Sequence, residues 1–173
     1  MLVFFDTEFT DLIPGNRLIS IGAVSEDGHE FYAELSDTYS VAQCNEFVKK
    51  EVLPKLDGGK ARTSEMELAL SFGNWLEDFS PERVKIVTDS RDWDWPWIAS
   101  LFSTPGTWPT NLSKTPRFCR LPKTSSMIRD NGQWRHHHAL DDAKVARLAY
   151  LFHESDGLED GTVASTLFRQ QTK

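Results

Sequence analysis

Three places in the chain set carboxylates or histidines where they can act together. Asp6 and Glu8 follow the apolar run from Leu2 to Phe5, with one residue between them. That run reads as a buried strand. On a strand, residues two apart share a face about 6–7 Å from each other, so both carboxylates point the same way. Two like charges beside a core lose hydration and repel, and a cation must neutralise them. No Lys or Arg lies among them, and hard oxygen donors suit Mg²⁺ or Mn²⁺. A solvated turn is the plainer reading of Asp-x-Glu at a strand end, so the rest of the chain must supply the context.

The second place is Asp89-Ser-Arg-Asp92-Trp-Asp94-Trp-Pro96. Pro96 fits the first turn of a helix, which sets Asp94 at a helix start, where a carboxylate can cap or face a metal. Asp89, at the end of the preceding strand, competes for the same task. The third place is Arg135-His-His137-His-Ala-Leu-Asp141-Asp142. Asp142 aligns with the apolar stripe of Val145, Ala146, Ala149 and Phe152, whereas Asp141 leads to Lys144 and Leu148. An inward carboxylate needs a partner. The histidines read as zinc ligands, as a solvated run or as a source of a general base near neutral pH. No further Cys or His is spaced to close a zinc site. His137 precedes Asp142 by five residues, roughly 140° around a helix, so the two meet only if His137 lies in the loop before it.

The elements that must position these groups follow from periodicity. Leu18 to Val24 reads as a second strand, with Leu18, Ser20, Gly22 and Val24 on one face and Ile19, Ile21 and Ala23 on the other. Asp27-Gly28 signals a hairpin into a third strand from His29 to Leu35. Ser40 is expected to cap a helix carrying Val41, Cys44, Phe47, Val48 and Val52, ended by Pro54 and Gly58-Gly59. Ser64-x-x-Glu67 is a capping box for a second helix with a core stripe of Leu68, Ala69, Phe72, Trp75, Leu76 and Phe79. Val84 to Thr88 reads as another buried strand, 103–116 as a loop, and the segment after Ala139 as a closing helix. These four strands, the first three antiparallel, and their flanking helices place the chain in the α/β class, for which a mixed sheet of about five strands is expected.

Composition narrows the function. At 173 residues, one domain with a real core is expected. A net charge of −7 argues against broad, non-specific binding of long nucleic acid, but leaves room for a small site gripping a strand end. Lys114, Arg117, Arg120, Lys123, Arg129 and Arg135 make a locally basic segment with only Asp130 against them; it reads equally as a phosphate contact or a solvated loop. Cys44 and Cys119 form neither a metal spacing nor a disulfide framework. No stretch is long enough to span a bilayer and the start lacks a leader pattern, so a cytoplasmic location and no membrane partner are expected.

Taken in order, these motifs resemble the DEDDh exonuclease superfamily, which has a ribonuclease H-like fold. Asp6-Thr-Glu8-Phe-Thr10 resembles its first motif, Trp93-Asp94 the second, and His137-His-Ala-Leu-Asp-Asp142 the H-x₄-D third. The chain departs from many members in having Thr88-Asp89-Ser90 where a Gly-His-Asn or Gly-Asn element precedes the second-motif Asp, which keeps Asp89 as the alternate. Small bacterial and phage 3′–5′ exoribonucleases are the most similar subgroup. The resemblance implies an exonuclease domain over 1–156 and a tail over 157–173, either a short helix on the domain or a contact for a partner. It further implies two Mg²⁺ or Mn²⁺ ions held by Asp6, Glu8, Asp94 and Asp142, with His137 as general base. Phe9, Thr10, Leu12 and Trp97 would contact the 3′ end of a single strand, RNA ahead of DNA, and a homodimer is a further possibility. A single-strand DNA exonuclease and a non-catalytic nuclease-like binding module are the alternatives.

Overall fold

A computed structural model describes residues 1–119, 128–129 and 133–156. Six strands form one mixed sheet: β1 (Leu2–Phe9), β2 (Leu18–Ser25), β3 (Glu30–Leu35), β4 (Arg62–Thr63), β5 (Lys85–Thr88) and β6 (Arg117–Phe118). Their spatial order is β4-β3-β2-β1-β5-β6. The first three strands pair antiparallel, and β5 joins β1 in parallel. The sheet has one strand more than the five expected; β4 and β6, to which no segment of the sequence reading corresponds, are two-residue edges too short for any periodic signal.

Four helices complete the described fold: α1 (Glu46–Glu51), α2 (Glu65–Glu77), α3 (Arg91–Leu101) and α4 (Ala139–Asp156). Alternation along β1 sends Val3 and Phe5 into the larger core, against Phe72 of α2 and Ile98 of α3. Phe4, on the opposite face, packs with Val24, Val87 and Ala143 of α4. The helices thus cover both faces of the central strand, which is why β1 reads as a continuous apolar run. Gly22 lets α4 approach. A Cβ placed there would lie 2.1 Å from the Leu140 backbone nitrogen, inside any real contact distance. Gly22 is also the β2 partner of Asp6, so the close approach falls beside the candidate site.

β1 runs through Asp6 and Glu8 to Phe9, so both carboxylates stand on the strand, as their spacing predicts. Three local expectations are corrected. Leu18 joins Ile21 and Ala23 in the larger core instead of siding with Val24, because the β1–β2 register shifts between Glu8 and Phe9 and the alternation is broken there. Ser40 opens only a 3₁₀ turn, Val41–Gln43, closed by its own capping box; Asn45, whose side chain accepts from Val48 N, caps α1. Pro96 lies inside α3, which starts at Arg91, rather than in its first turn. The capping box of Ser64 and Glu67 does open α2. The tail from 157 onward, Arg120, Lys123 and Asp130 lie outside the described residues.

Candidate active site

The far end of β1 opens into a cleft of about 520 Å³. Asp6 and Glu8 enter it from the central strand, Asp94 from the first turn of α3, and Asp142 from the first turn of α4. Asp89, at the β5–α3 junction, lines it as well. Two groups of donors result, each with its ligand atoms within 4.8 Å of one another: Glu8, His137 and Asp142, and Asp6, Asp89 and Asp94. Both second-motif candidates, Asp89 and Asp94, reach the site.

Asp94 is held by two hydroxyls. Thr7 Oγ1 donates to one carboxylate oxygen at 2.6 Å and Thr88 Oγ1 to the other at 2.5 Å. Both threonines are buried, so these bonds fix the carboxylate in a site where water competes little. Asp142 accepts from the His137 backbone N–H at 2.8 Å and faces the Arg129 guanidinium at 3.0 Å. That backbone bond folds His137 back over the start of α4. His137 takes φ of 64°, a conformation uncommon for a non-glycine residue and enriched at functional sites. Its ring meets Phe47 edge-on at 4.9 Å, while Lys55 Nζ donates to the His136 carbonyl at 2.7 Å and secures the same loop.

Electrostatics shift the carboxylates and the histidine in opposite directions. Burial, then the neighbouring carboxylates Asp94, Asp142 and Glu8, push Asp6 well above its ordinary value. Burial and Asp142 raise Glu8 to about 8. Burial raises Asp94 to about 6 against the opposing pull of the Thr7 and Thr88 hydroxyls. Asp142 is also raised by burial, although Arg129 works against the shift. His137 moves the other way, down to about 4, through burial and the neighbouring His136, Lys55 and Arg129. The cluster favours a cation that can offset its repulsion, and its largely oxygen donor set suits Mg²⁺ or Mn²⁺ over zinc.

The remaining expected contacts divide. Phe9 and the exposed Leu12 line the cleft. Thr10 is buried, and its hydroxyl accepts from Arg17 N at 3.0 Å, a bond that braces the turn after β1. Trp97 packs against the larger core and is not among the lining residues. The basic segment is also mostly committed elsewhere. Lys114 lies over Trp108 and Arg117 over Tyr150, while Arg135 bonds Asp57 and Asp141. Among the described residues of that segment, Arg129 is the cation that reaches the cleft. Sequence reading missed Thr7, Thr88, Asn45, Phe47 and Trp93. Only Thr7 and Trp93 carried a signal, through their places inside the first and second motifs. The histidine run divides as well: His136 and His137 line the cleft, whereas His138 is buried and stacks on Tyr32 with ring centroids 4.4 Å apart.

Fold and site together describe a mixed α/β protein with an acidic cleft at the end of its central strand. The profile of the Rv2179c-like 3′–5′ exoribonuclease domain matches residues 1–151, and the chain belongs to that family. It is similar to the 3′–5′ exoribonuclease Rv2179c of Mycobacterium tuberculosis strain ATCC 25618 / H37Rv, at 29% identity over 102 residues, 58% of this chain and 55% of the relative. The 3′–5′ exoribonuclease MT2234.1 of Mycobacterium tuberculosis strain CDC 1551 / Oshkosh matches with the same identity and coverage. The chain thus aligns with about half the length of these curated relatives.

Proposed function

We propose that this chain is a metal-dependent 3′–5′ exoribonuclease of the DEDDh type on a ribonuclease H-like fold, with its catalytic unit in residues 1–156. The observation that carries the reading is the meeting of Asp6, Glu8, Asp94, Asp142 and His137, drawn from three distant segments, in one cleft. Family membership and the names of the relatives support the same activity. Asp6, Glu8, Asp94 and Asp142, with Asp89 beside them, would hold two Mg²⁺ or Mn²⁺ ions. When bound, such ions supply activation of the attacking water and stabilisation of the leaving oxygen in an in-line displacement.

The chain's own residues account for the rest. His137, with its pKa lowered to about 4, is neutral near pH 7 and can accept a proton, though as a weaker base than an ordinary imidazole. The bond from its backbone to Asp142 sets where that ring can stand. As the water oxygen bonds to phosphorus, the P–O3′ bond breaks, and the products are a nucleoside 5′-monophosphate and a strand one nucleotide shorter with a 3′-hydroxyl. Phe9, Leu12 and Phe47 offer apolar surface in the cleft to the terminal nucleotide. Stacking suits an enzyme that must accept every base, since each base has a π-face.

Digestion of 5′-labelled single-stranded RNA and DNA of equal sequence tests this, in Mn²⁺, Mg²⁺ and EDTA, with Asp6→Ala and His137→Ala alongside. A 3′-shortening RNA ladder that needs metal and is lost in both variants is expected. A ladder on DNA alone would move the assignment to a DNA exonuclease. No ladder on either strand, with Mn²⁺ still bound in calorimetry, would make the protein a binding module.

A further inference from the structure

A second concavity lies beside the cleft. It measures about 420 Å³ and is lined by Asp89, Ser90, Arg91, Asp92, Trp93 and Phe118. Asp89 and Ser90 line the cleft too, so the two spaces adjoin. The Trp93 ring stacks on Phe9 of the cleft with centroids 5.7 Å apart, and forms the wall between them. Phe118 is 56% exposed and Trp93 36%, so two large aromatic rings face solvent at the rim of an acidic site. Phe118 sits on β6, the last strand at this edge of the sheet. Its neighbour Arg117 turns to the α4 side, with its guanidinium 5.1 Å from the Tyr150 ring, and strand alternation sends Phe118 to the opposite side.

In-line displacement decides what this groove faces. The attacking water and the leaving 3′-oxygen lie on opposite sides of phosphorus. His137 groups with Glu8 and Asp142, which places the attack at that end; Asp89 groups with Asp6 and Asp94 at the other. The leaving oxygen, and the strand attached to it, must therefore exit past Asp89. Resting on the exoribonuclease reading, we infer that the groove between α3 and β6 binds the retained RNA strand just upstream of the scissile bond. An unpaired base stacks on Phe118. Asp89 and Asp92 repel a phosphate running along the groove floor, whereas Arg91, the one cation among its described lining residues, can take a single phosphate at the rim. The site selects single strands, since a base held in a duplex has no free face to lay on Phe118.

Two substrates with the same terminal nucleotide separate this from the catalytic reading. The p-nitrophenyl ester of adenosine 5′-monophosphate has no upstream nucleotide; a 5′-fluorescein hepta-adenylate has six. Phe118→Ala is expected to lower kcat/KM on the heptamer by about 10-fold, in the range for loss of one base–aromatic stack. It should leave the ester rate unchanged, and Phe118→Trp should restore the heptamer rate. Equal losses on both substrates, or no loss on either, would overturn the groove assignment while the exonuclease reading stands. No loss on either, together with a shift from dimer to monomer in sedimentation, would make the patch a self-association face instead. Wild-type protein that cleaves neither substrate would overturn both readings.

Discussion

At the scale of the residue, the informative feature of the cleft is how tightly its acids are specified and how few contacts specify its base. Asp94 has a hydroxyl on each oxygen, from Thr7 and Thr88. Thr88→Val keeps the shape and removes one donor, so Mn²⁺ affinity should fall about 10- to 100-fold, as for other partners of metal ligands. A Mn²⁺ titration followed by calorimetry measures it. His137 is placed by one backbone bond and by edge contacts with Phe47 and His136. His137→Ala should lower kcat by roughly 10²- to 10⁴-fold, the usual contribution of a general base. Mn²⁺ affinity should be unchanged in that variant. A matching loss of Mn²⁺ binding would instead make the imidazole a ligand in the group it forms with Glu8 and Asp142.

At the scale of the element, the site depends on how closely α4 lies on β2. Asp142 belongs to the first turn of α4, and the Leu140 backbone rests where a Gly22 side chain would be. The obstacle is backbone rather than a flexible side-chain end, so Gly22→Ala must displace the helix or bend the strand. Overpacking of this kind costs about 1–3 kcal/mol. The expected outcome is a lower urea midpoint together with reduced activity, because the same displacement carries Asp142 and His137 away from Glu8. Unchanged activity in a destabilised protein would show that the approach of α4 serves packing alone.

For the molecule as a whole, the acidic cleft makes stability depend on pH and on cations. Asp6, Glu8, Asp94 and Asp142 all have raised folded-state pKa values, with Glu8 at about 8 and Asp94 at about 6. A raised carboxyl contributes stability that is full below its unfolded value and is lost as pH rises through the folded one. His137, lowered to about 4, acts oppositely: its contribution is present above its unfolded value near 6.5 and is lost as pH falls toward 4. Between pH 8 and about 6.5 the carboxyls act with little opposition. In EDTA, the melting temperature should therefore rise as pH is lowered through that window. Saturating Mn²⁺ should raise it most at pH 8 and flatten the profile. A flat profile in EDTA would mean that the carboxylates are already neutralised within the chain.

The sequence alone determined the parts that depend on local pattern. The apolar run of β1, the β2–β3 hairpin, the Ser64 capping box and the stripe of α2 are all periodicities or caps that a few neighbouring residues specify. The spacing of Asp6 with Glu8 and of His137 with Asp142 was legible for the same reason, since two residues on a strand or five across a helix start have few geometries. Tertiary structure decided what depends on segments far apart in the chain. The two-residue edges β4 and β6 exist only because a neighbouring strand offers hydrogen bonds. The start of α1 follows from the Asn45 cap rather than from Ser40, and α3 begins at Arg91, before the Pro96 that looked suited to lead it. Trp97 turned to the core, Arg129 and Phe47 came to the cleft, and Trp93 came to stack on Phe9, because packing against distant elements sets which face each helix or loop presents. Gly22 is the plainest case: nothing near it in sequence indicates that the backbone of Leu140, more than a hundred residues later, fills its missing side chain.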